Sequence, residues 1–266
     1  MKIFILNSKK LLFFTIIALS IIIFIAVNGI ISVFNTPKEI PIYSVKRPDN
    51  KISITFNCAW GDEDIDLILE SLKSHNVKAT FFVVGKWAEK FPGSLKKIAK
   101  DGHEIGSHSY NHAHYNEMSY EEILADIEKC DGVIENILNN NIFLVRGGYG
   151  EYNNNVLNAC KNTNRTYIQW SLDSLDYKAT SVDDILNKII PKTKNGDIIL
   201  MHTGTDYTAA SLNNLLDQLS KKHELVTISE LIYKEDFTID HSGCQIPNKS
   251  KTSSEIKLKP EIVPKF

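Results

Sequence analysis

The sequence reads as an α/β protein of parallel strands joined by crossover helices. Three observations predict this. Short β-branched runs such as KISITFN (51–57), VKATFFVV (77–84) and DIILMH (197–202) recur between Lys51 and about Tyr233. Amphipathic segments of helical period separate them, and that rhythm demands parallel strands with helical crossovers. The chain has 266 residues, 43% hydrophobic and 23% charged, a globular composition large enough for one sizeable domain with appendages. Pattern alone leaves a barrel and a doubly wound open sheet both standing.

The elements follow in order. Lys2, Lys9 and Lys10 precede an uncharged apolar run from Leu11 to Phe34. As a helix rising 1.5 Å per residue, such a run can cross a hydrocarbon core of ~30 Å. Positive charge on its amino side predicts a cytoplasmic N-terminus and an exported remainder. A cleaved signal peptide is the rival, but its apolar stretch is normally ~7–15 residues and ends in an Ala-x-Ala-like site. Residues 1–35 are therefore expected to be an uncleaved membrane anchor, with the rest of the chain extracytoplasmic. Residues 36–50, with Pro37, Pro41 and Pro48, read as a linker.

Within the domain at 51–233, Lys51–Asn57 is a strand by alternation. Asp62–Ser74 carries a helical apolar face with acidic residues in its first turn. Val77–Val84 is a buried strand, Gly93–Asp101 a helix, and Glu104–Ser107 a short strand running into a His-rich loop. Ser119 opens a helix to about Leu138, with Glu122 completing a capping box. Strands follow at Ile142–Arg146, Thr166–Ser171, Asp197–His202 and Leu225–Ile228. Helices lie between them at Asn154–Asn162, Val182–Ile190 and about Ala209–Lys222. Residues 234–266 are polar, with Pro247, Pro260 and Pro264, and read as a disordered tail.

Composition excludes some functions. A net charge of −2 gives no electrostatic argument for nucleic acid. Cysteines at 58, 130, 160 and 244 form no Cys-x-x-Cys pair, which excludes a zinc ribbon or a thioredoxin-like motif.

The chemistry-bearing residues fall at strand ends. Asn57 and Cys58 end the first strand, His108 and His112 follow the third, and Arg146 ends the fourth. Asp173 and Asp176 follow the fifth, and His202 ends the sixth. In parallel α/β architectures the carboxyl ends of the strands share one face, where ligands bind. His108 and His112, four apart, would face the same way on a helical turn and could bind one zinc-like ion. The bland alternative is a solvated His-rich loop, His114 being close by. His202 is either a satisfied core residue or a general acid whose imidazolium Asp173 or Asp176 holds. Arg146 either pairs structurally with a carboxylate or organises a catalytic one.

From about Lys51 to Tyr233 these residues resemble, in order, the motifs of the NodB-type polysaccharide deacetylase domain, carbohydrate esterase family four. Thr55-Phe56-Asn57-Cys58 stands where that family has Thr-Phe-Asp-Asp, and Ala59-Trp60-Gly61-Asp62 resembles its sporulation-type subgroup. His108-x-x-x-His112 is similar to the metal motif, and Arg146-Gly147-Gly148-Tyr149 to Arg-x-Pro-Tyr. Asp173-Ser-Leu-Asp176-Tyr177 is similar to Asp-x-x-Asp-Trp, and Leu200-Met201-His202 to Leu-x-His.

The resemblance implies an irregular (β/α) barrel of about seven parallel strands behind an N-terminal transmembrane helix. It also implies removal of N-acetyl groups from peptidoglycan or chitin-like amino sugars with a divalent metal, zinc or else cobalt or another ion. His108 and His112 are then the metal ligands, His202 the general acid, Asp173 its partner, and Arg146 the orienting arginine. Tyr149, Trp60 and Asp176 are expected on the substrate. Two positions depart from the pattern. Asn57 stands at the general base, and an amide cannot accept a proton near neutral pH. Cys58 stands at the metal-ligand aspartate, either as a small buried residue or as a thiolate ligand. Gly147-Gly148 in place of the proline is expected to loosen its loop. A relocated carboxylate could come from Asp62, Glu63 or Asp64 just downstream, which otherwise read as complements to a helix dipole, with Asp62 the one that could point into the site; Glu151 is a weaker candidate. The alternative to a hydrolase is an inactive family member that binds glycan or acts as a scaffold.

Overall fold

The computed structural model describes residues 8–34 and 37–248, which fall into two units, 1–38 and 39–266. The first holds one helix, α1 (Ser8–Phe34). Its described side chains, Leu12 to Ile25, are all exposed. Those 14 residues span only ~21 Å. Among the described residues no helix is long and apolar enough to cross a membrane.

In the second unit the elements run β1 (Ser44–Val45), β2 (Lys51–Cys58), α2 (Ile65–Ser74), β3 (Thr80–Val83), α3 (Gly85–Lys90), α4 (Pro92–Lys100) and β4 (Glu104–Ser107). Next come α5 (Tyr120–Leu138), β5 (Leu144–Val145), α6 (Asn154–Asn162), β6 (Thr166–Tyr167), β7 (Leu172–Asp173), α7 (Val182–Ile189) and β8 (Ile198–His202). The unit closes with α8 (Thr208–Leu219), β9 (Glu224–Leu225), α9 (Ile228–Leu231), β10 (Phe237–Ile239) and β11 (Cys244–Pro247).

Eight strands form one sheet in the order β6-β5-β4-β3-β2-β8-β7, with β9 also on β2, and every ladder is parallel. Among the described residues no ladder joins β6 to β7, so the sheet is a half-barrel. The parallel-barrel expectation therefore holds in its coarse form. β2 is central and buried on both faces, as a parallel strand between two packed layers must be. On one side Ile54, Phe56 and Phe81 pack under α2, α4 and α8, with the Phe56 and Phe81 rings stacked at 4.9 Å. The capping box predicted at Ser119 and Glu122 opens α5.

Three expectations need correction. α2 begins at Ile65, not Asp62, because Asp62 turns away to accept a hydrogen bond from Ser94 and Asp64 is the residue that precedes the helix. Asp62 is thus no substitute carboxylate for the site. The linker and the disordered tail are partly structured: β1 pairs in parallel with β11, and β10 pairs antiparallel with β11. This small sheet seats Ile42 and Val45 against Ile168 and Ile198, so apolar burial holds what the prolines suggested was loose. Residues 249–266 lie outside the described part. Finally α3 appears between β3 and α4, in a stretch too short to show helical period.

Candidate active site

The carboxyl ends of β2, β4, β5, β7 and β8 open on a cavity of about 320 Å³ whose lining includes Asn57, His108, His112, Asp173 and His202. Register explains part of this convergence. Asn57 pairs with His202 across β2 and β8, and Ser107 pairs with Val145, placing His108 beside Arg146.

His108 is fully buried and its Nδ1–H donates to the Arg146 carbonyl at 2.8 Å. That bond fixes the tautomer and leaves Nε2 a lone pair, buried and without a partner. The His112 ring lies 4.9 Å from it and nearly perpendicular. The helical turn expected to join the two does not form. Ser109 and His112 take left-handed backbone angles (φ 64° and 52°), and Ser109 Oγ accepts the Ala113 N–H at 2.8 Å, closing a loop instead. Burial pushes both imidazoles toward the neutral form; in His108 the neighbouring His112 adds to this, and in His112 His202 does.

His202 is held by Asp176, and this corrects the assignment of Asp173 as its partner. His202 Nδ1–H donates to Asp176 Oδ1 at 2.8 Å and its backbone N–H to Oδ2 at 2.6 Å, while Thr208 Oγ–H donates to Oδ2 at 2.6 Å. Asp176 is therefore no free substrate ligand. Its burial opposes ionisation, but the His202 and Thr208 bonds outweigh that and hold its carboxyl below the usual carboxylate range. Asp173 lines the cavity instead, with Oδ1 accepting the Leu175 N–H at 2.8 Å. Sequence could not separate the two carboxylates. Left-handed Leu175 (φ 52°) sets the loop's turn, and its coordinates decide which one reaches the imidazole.

Arg146 has no exposed surface and, among the described residues, no carboxylate partner. Its guanidinium donates to Thr55 Oγ1 (2.9 Å), Asn57 Oδ1 (3.0 Å) and the Ile168 and Gln169 carbonyls. Burial lowers its pKa to about 9. The sequence-predicted organising bond exists, but to an amide.

Cys58 points away from the cavity. It is fully buried in the cluster with Ile54, Phe56 and Ile65, and desolvation pushes its thiol far up. A thiolate there is disfavoured, so the small-buried-residue reading holds.

Tyr149 and Trp60 line the cavity as part of a larger aromatic rim. Trp60 stacks on the His202 ring at 5.2 Å, Tyr177 meets it edge-on at 5.3 Å, and Trp170 lines the far wall. Trp170 goes unremarked in the sequence because it falls inside the stretch read as a strand to Ser171; β6 ends at Tyr167, which leaves Trp170 in the loop beyond it. Tyr149 is left-handed (φ 57°) and lies against His112 and flat on His114, which Glu151 holds through Nδ1. Glu151 is committed to His114 and to the Asn116 N–H, not to the cavity. The glycine pair does not loosen this loop. A Cβ on Gly147 would fall 2.4 Å from the Tyr167 hydroxyl, and one on Gly148 2.9 Å from the Ala113 carbonyl. The loop is tied down further by Gly147 N–H to Tyr167 Oη and Gln169 Nε2 to the Gly150 carbonyl.

The implied divalent metal can be tested against these groups. The orphaned His108 Nε2 and the adjacent His112 suit two imidazole ligands, which must be neutral to bind. The third protein ligand is missing because Cys58 faces the core. Among the described residues no three His, Cys, Asp or Glu side chains form a group that could hold an ion.

The fold and site define an α/β protein whose parallel half-barrel opens at its strand ends on an aromatic-walled cavity, with His202 held by Asp176 and two further imidazoles in its lining. Residues 44–168 match the family described as polysaccharide deacetylase. The chain is 32% identical to the crystal structure of the Bc1960 peptidoglycan N-acetylglucosamine deacetylase, with TM-score 0.69, covering 72% of this chain and 92% of that one. It is 31% identical, TM-score 0.70, to BA3943, a CE4 family pseudoenzyme from Bacillus anthracis, covering 72% and 68%; a mutant of that protein has restored enzymatic activity. A Bacillus cereus peptidoglycan-N-acetylglucosamine deacetylase is 36% identical over 163 residues, 60% of this chain and 59% of that protein. This chain belongs to the polysaccharide deacetylase family. It spans 60% or less of the first curated relatives it matches.

Proposed function

We propose that the cavity receives an N-acetylated amino sugar of a cell-wall polysaccharide, peptidoglycan or chitin-like, and that the chain is an N-deacetylase with slow turnover. The observation that carries this is the pairing of an intact His202–Asp176 couple with an amide at the base position. Hydrolysis of the acetamide needs a proton accepted from water and a proton delivered to the leaving amine. His202, oriented by Asp176, serves the second need. Asn57 cannot serve the first, at a cost of ~10²–10⁴ in rate. His108 and His112 would hold a divalent ion, most simply zinc, which would supply a Lewis acid for the acetyl carbonyl. Arg146 holds Asn57 in place, and Trp60, Tyr149 and Tyr177 offer faces for a sugar ring.

A second reading is favoured by Arg146, a buried cation without a carboxylate: a catalytically inactive glycan-binding or scaffold protein. The similarity to a pseudoenzyme supports it. We further propose that α1, whose described apolar side chains are exposed all round, anchors the chain in a membrane with the domain outside the cytoplasm. Acetate release from chitooligosaccharide or peptidoglycan by the full-length protein in detergent, with zinc or cobalt added, separates the readings. Release that His108→Ala abolishes supports the deacetylase. Sugar binding without release supports the second reading, and neither binding nor release refutes both.

A further inference from the structure

Asp176 accepts four hydrogen bonds. Its Oδ1 takes the His202 Nδ1–H and the Tyr177 N–H, and its Oδ2 takes the His202 N–H and the Thr208 hydroxyl. Three of these donors belong to His202 or to the aspartate's own turn. The fourth comes from α8, of which Thr208 is the first residue; it has no exposed surface and does not line the cavity. α8 buries Leu212, Leu215 and Leu216 in the core, so the hydroxyl stands on a fixed element. Asp176, by contrast, sits on a single short turn after left-handed Leu175.

Counting protons fixes the direction of each bond. An ionised carboxylate only accepts, so the Thr208 hydroxyl proton goes to Asp176. Thr208 Oγ then has only lone pairs to offer Thr205 Oγ, 2.6 Å away, and the Thr205 hydroxyl must donate. Thr205 Oγ in turn accepts the Thr208 N–H at 3.3 Å. Two hydroxyls that could each rotate are thereby aimed one way, toward the carboxylate. We propose that Thr208 is a positioning residue: its hydroxyl, aimed by Thr205, pins the Asp176 carboxylate and through it the His202 imidazole. The catalytic side of this rests on the reading of His202 as proton donor; the pinning does not. A hydrogen bond to a charged acceptor is worth about tenfold.

Amide hydrogen exchange of the full-length protein in detergent, without added metal, reads the pinning. The His202 and Tyr177 N–H groups both end on Asp176, whereas the adjacent Thr203 N–H ends on the Asn57 carbonyl. Thr208→Val, which keeps the side chain's size, should speed exchange at His202 and Tyr177 about tenfold and leave Thr203 as in the parent. Thr208→Ala, which adds no bulk at this buried position, should give the same pattern, and Thr208→Ser, which keeps the hydroxyl, should restore the parent rates. In acetate release from chitotetraose with added zinc, Thr208→Val should lower kcat about tenfold and leave KM unchanged, since Thr208 lies outside the cavity. Unchanged exchange at His202 and Tyr177, equal acceleration at Thr203, or a serine variant that restores nothing overturns the proposal. So does an unchanged kcat in a variant whose exchange has risen. A parent that releases no acetate overturns the deacetylase reading instead, and the exchange rates still decide whether Thr208 pins Asp176.

Discussion

Asn57→Asp tests the site's electrostatics and its chemistry together. The new carboxylate would sit where the Asn57 amide now accepts from Arg146 Nη1 at 3.0 Å. Opposite charges about 4 Å apart attract by ~4 kcal/mol at an effective dielectric of 20. Burying the carboxylate costs several kcal/mol, so the two effects nearly cancel. The arginine's own desolvation is already incurred in the native chain, as its lowered pKa of about 9 records. The variant should therefore melt within ~2 kcal/mol of the parent, where an unpaired buried charge would cost ~3–5 kcal/mol. Arg146 should hold the new group ionised at neutral pH and so supply the missing proton acceptor, raising acetate release ~10²–10⁴-fold. The assay is acetate release from chitotetraose with added zinc, beside a urea melt of each protein. A variant that folds and binds the sugar but releases acetate no faster would refute the assignment of Asn57 as the lost base. Destabilisation beyond ~3 kcal/mol would refute the account of Arg146 as a cation awaiting a partner.

Three further outcomes follow from named contacts. Cys58→Ala should leave zinc affinity by calorimetry within about twofold, because the thiol faces the core; loss of a true ligand would weaken it far more. Asp176→Asn should lower any acetate release by ~10²-fold or more, because His202 loses the carboxylate that accepts its Nδ1–H and orients its ring. His103, whose Nδ1 accepts the Ala79 N–H, has its pKa lowered to about 4, first by burial. A depressed histidine favours folding above its unfolded value of ~6.5, and that stability is lost as pH falls toward 4. Urea melts should show up to ~3 kcal/mol of loss across that window, and His103→Gln, which keeps an acceptor, should flatten the slope.

The sequence by itself determined the alternating architecture, the capping box at Ser119, and the set of residues gathered at the strand ends. Strand period and crossover geometry are local properties, and parallel strands bring their carboxyl ends to one rim whatever the loops do. It also showed that positions 57 and 58 lack carboxylates, since identity needs no coordinates. Only the tertiary structure decided what each side chain faces. Asp173 and Asp176 are three residues apart, and a left-handed Leu175 between them sends one to His202 and the other to the cavity wall. Cys58 differs from Asn57 by one step of a pleat, and that step turns its thiol into the core. The glycine pair, which composition suggested was slack, is required by the Tyr167 hydroxyl and the Ala113 carbonyl pressing on it. The small sheet of β1, β10 and β11 joins segments some 200 residues apart, a pairing that no local pattern encodes.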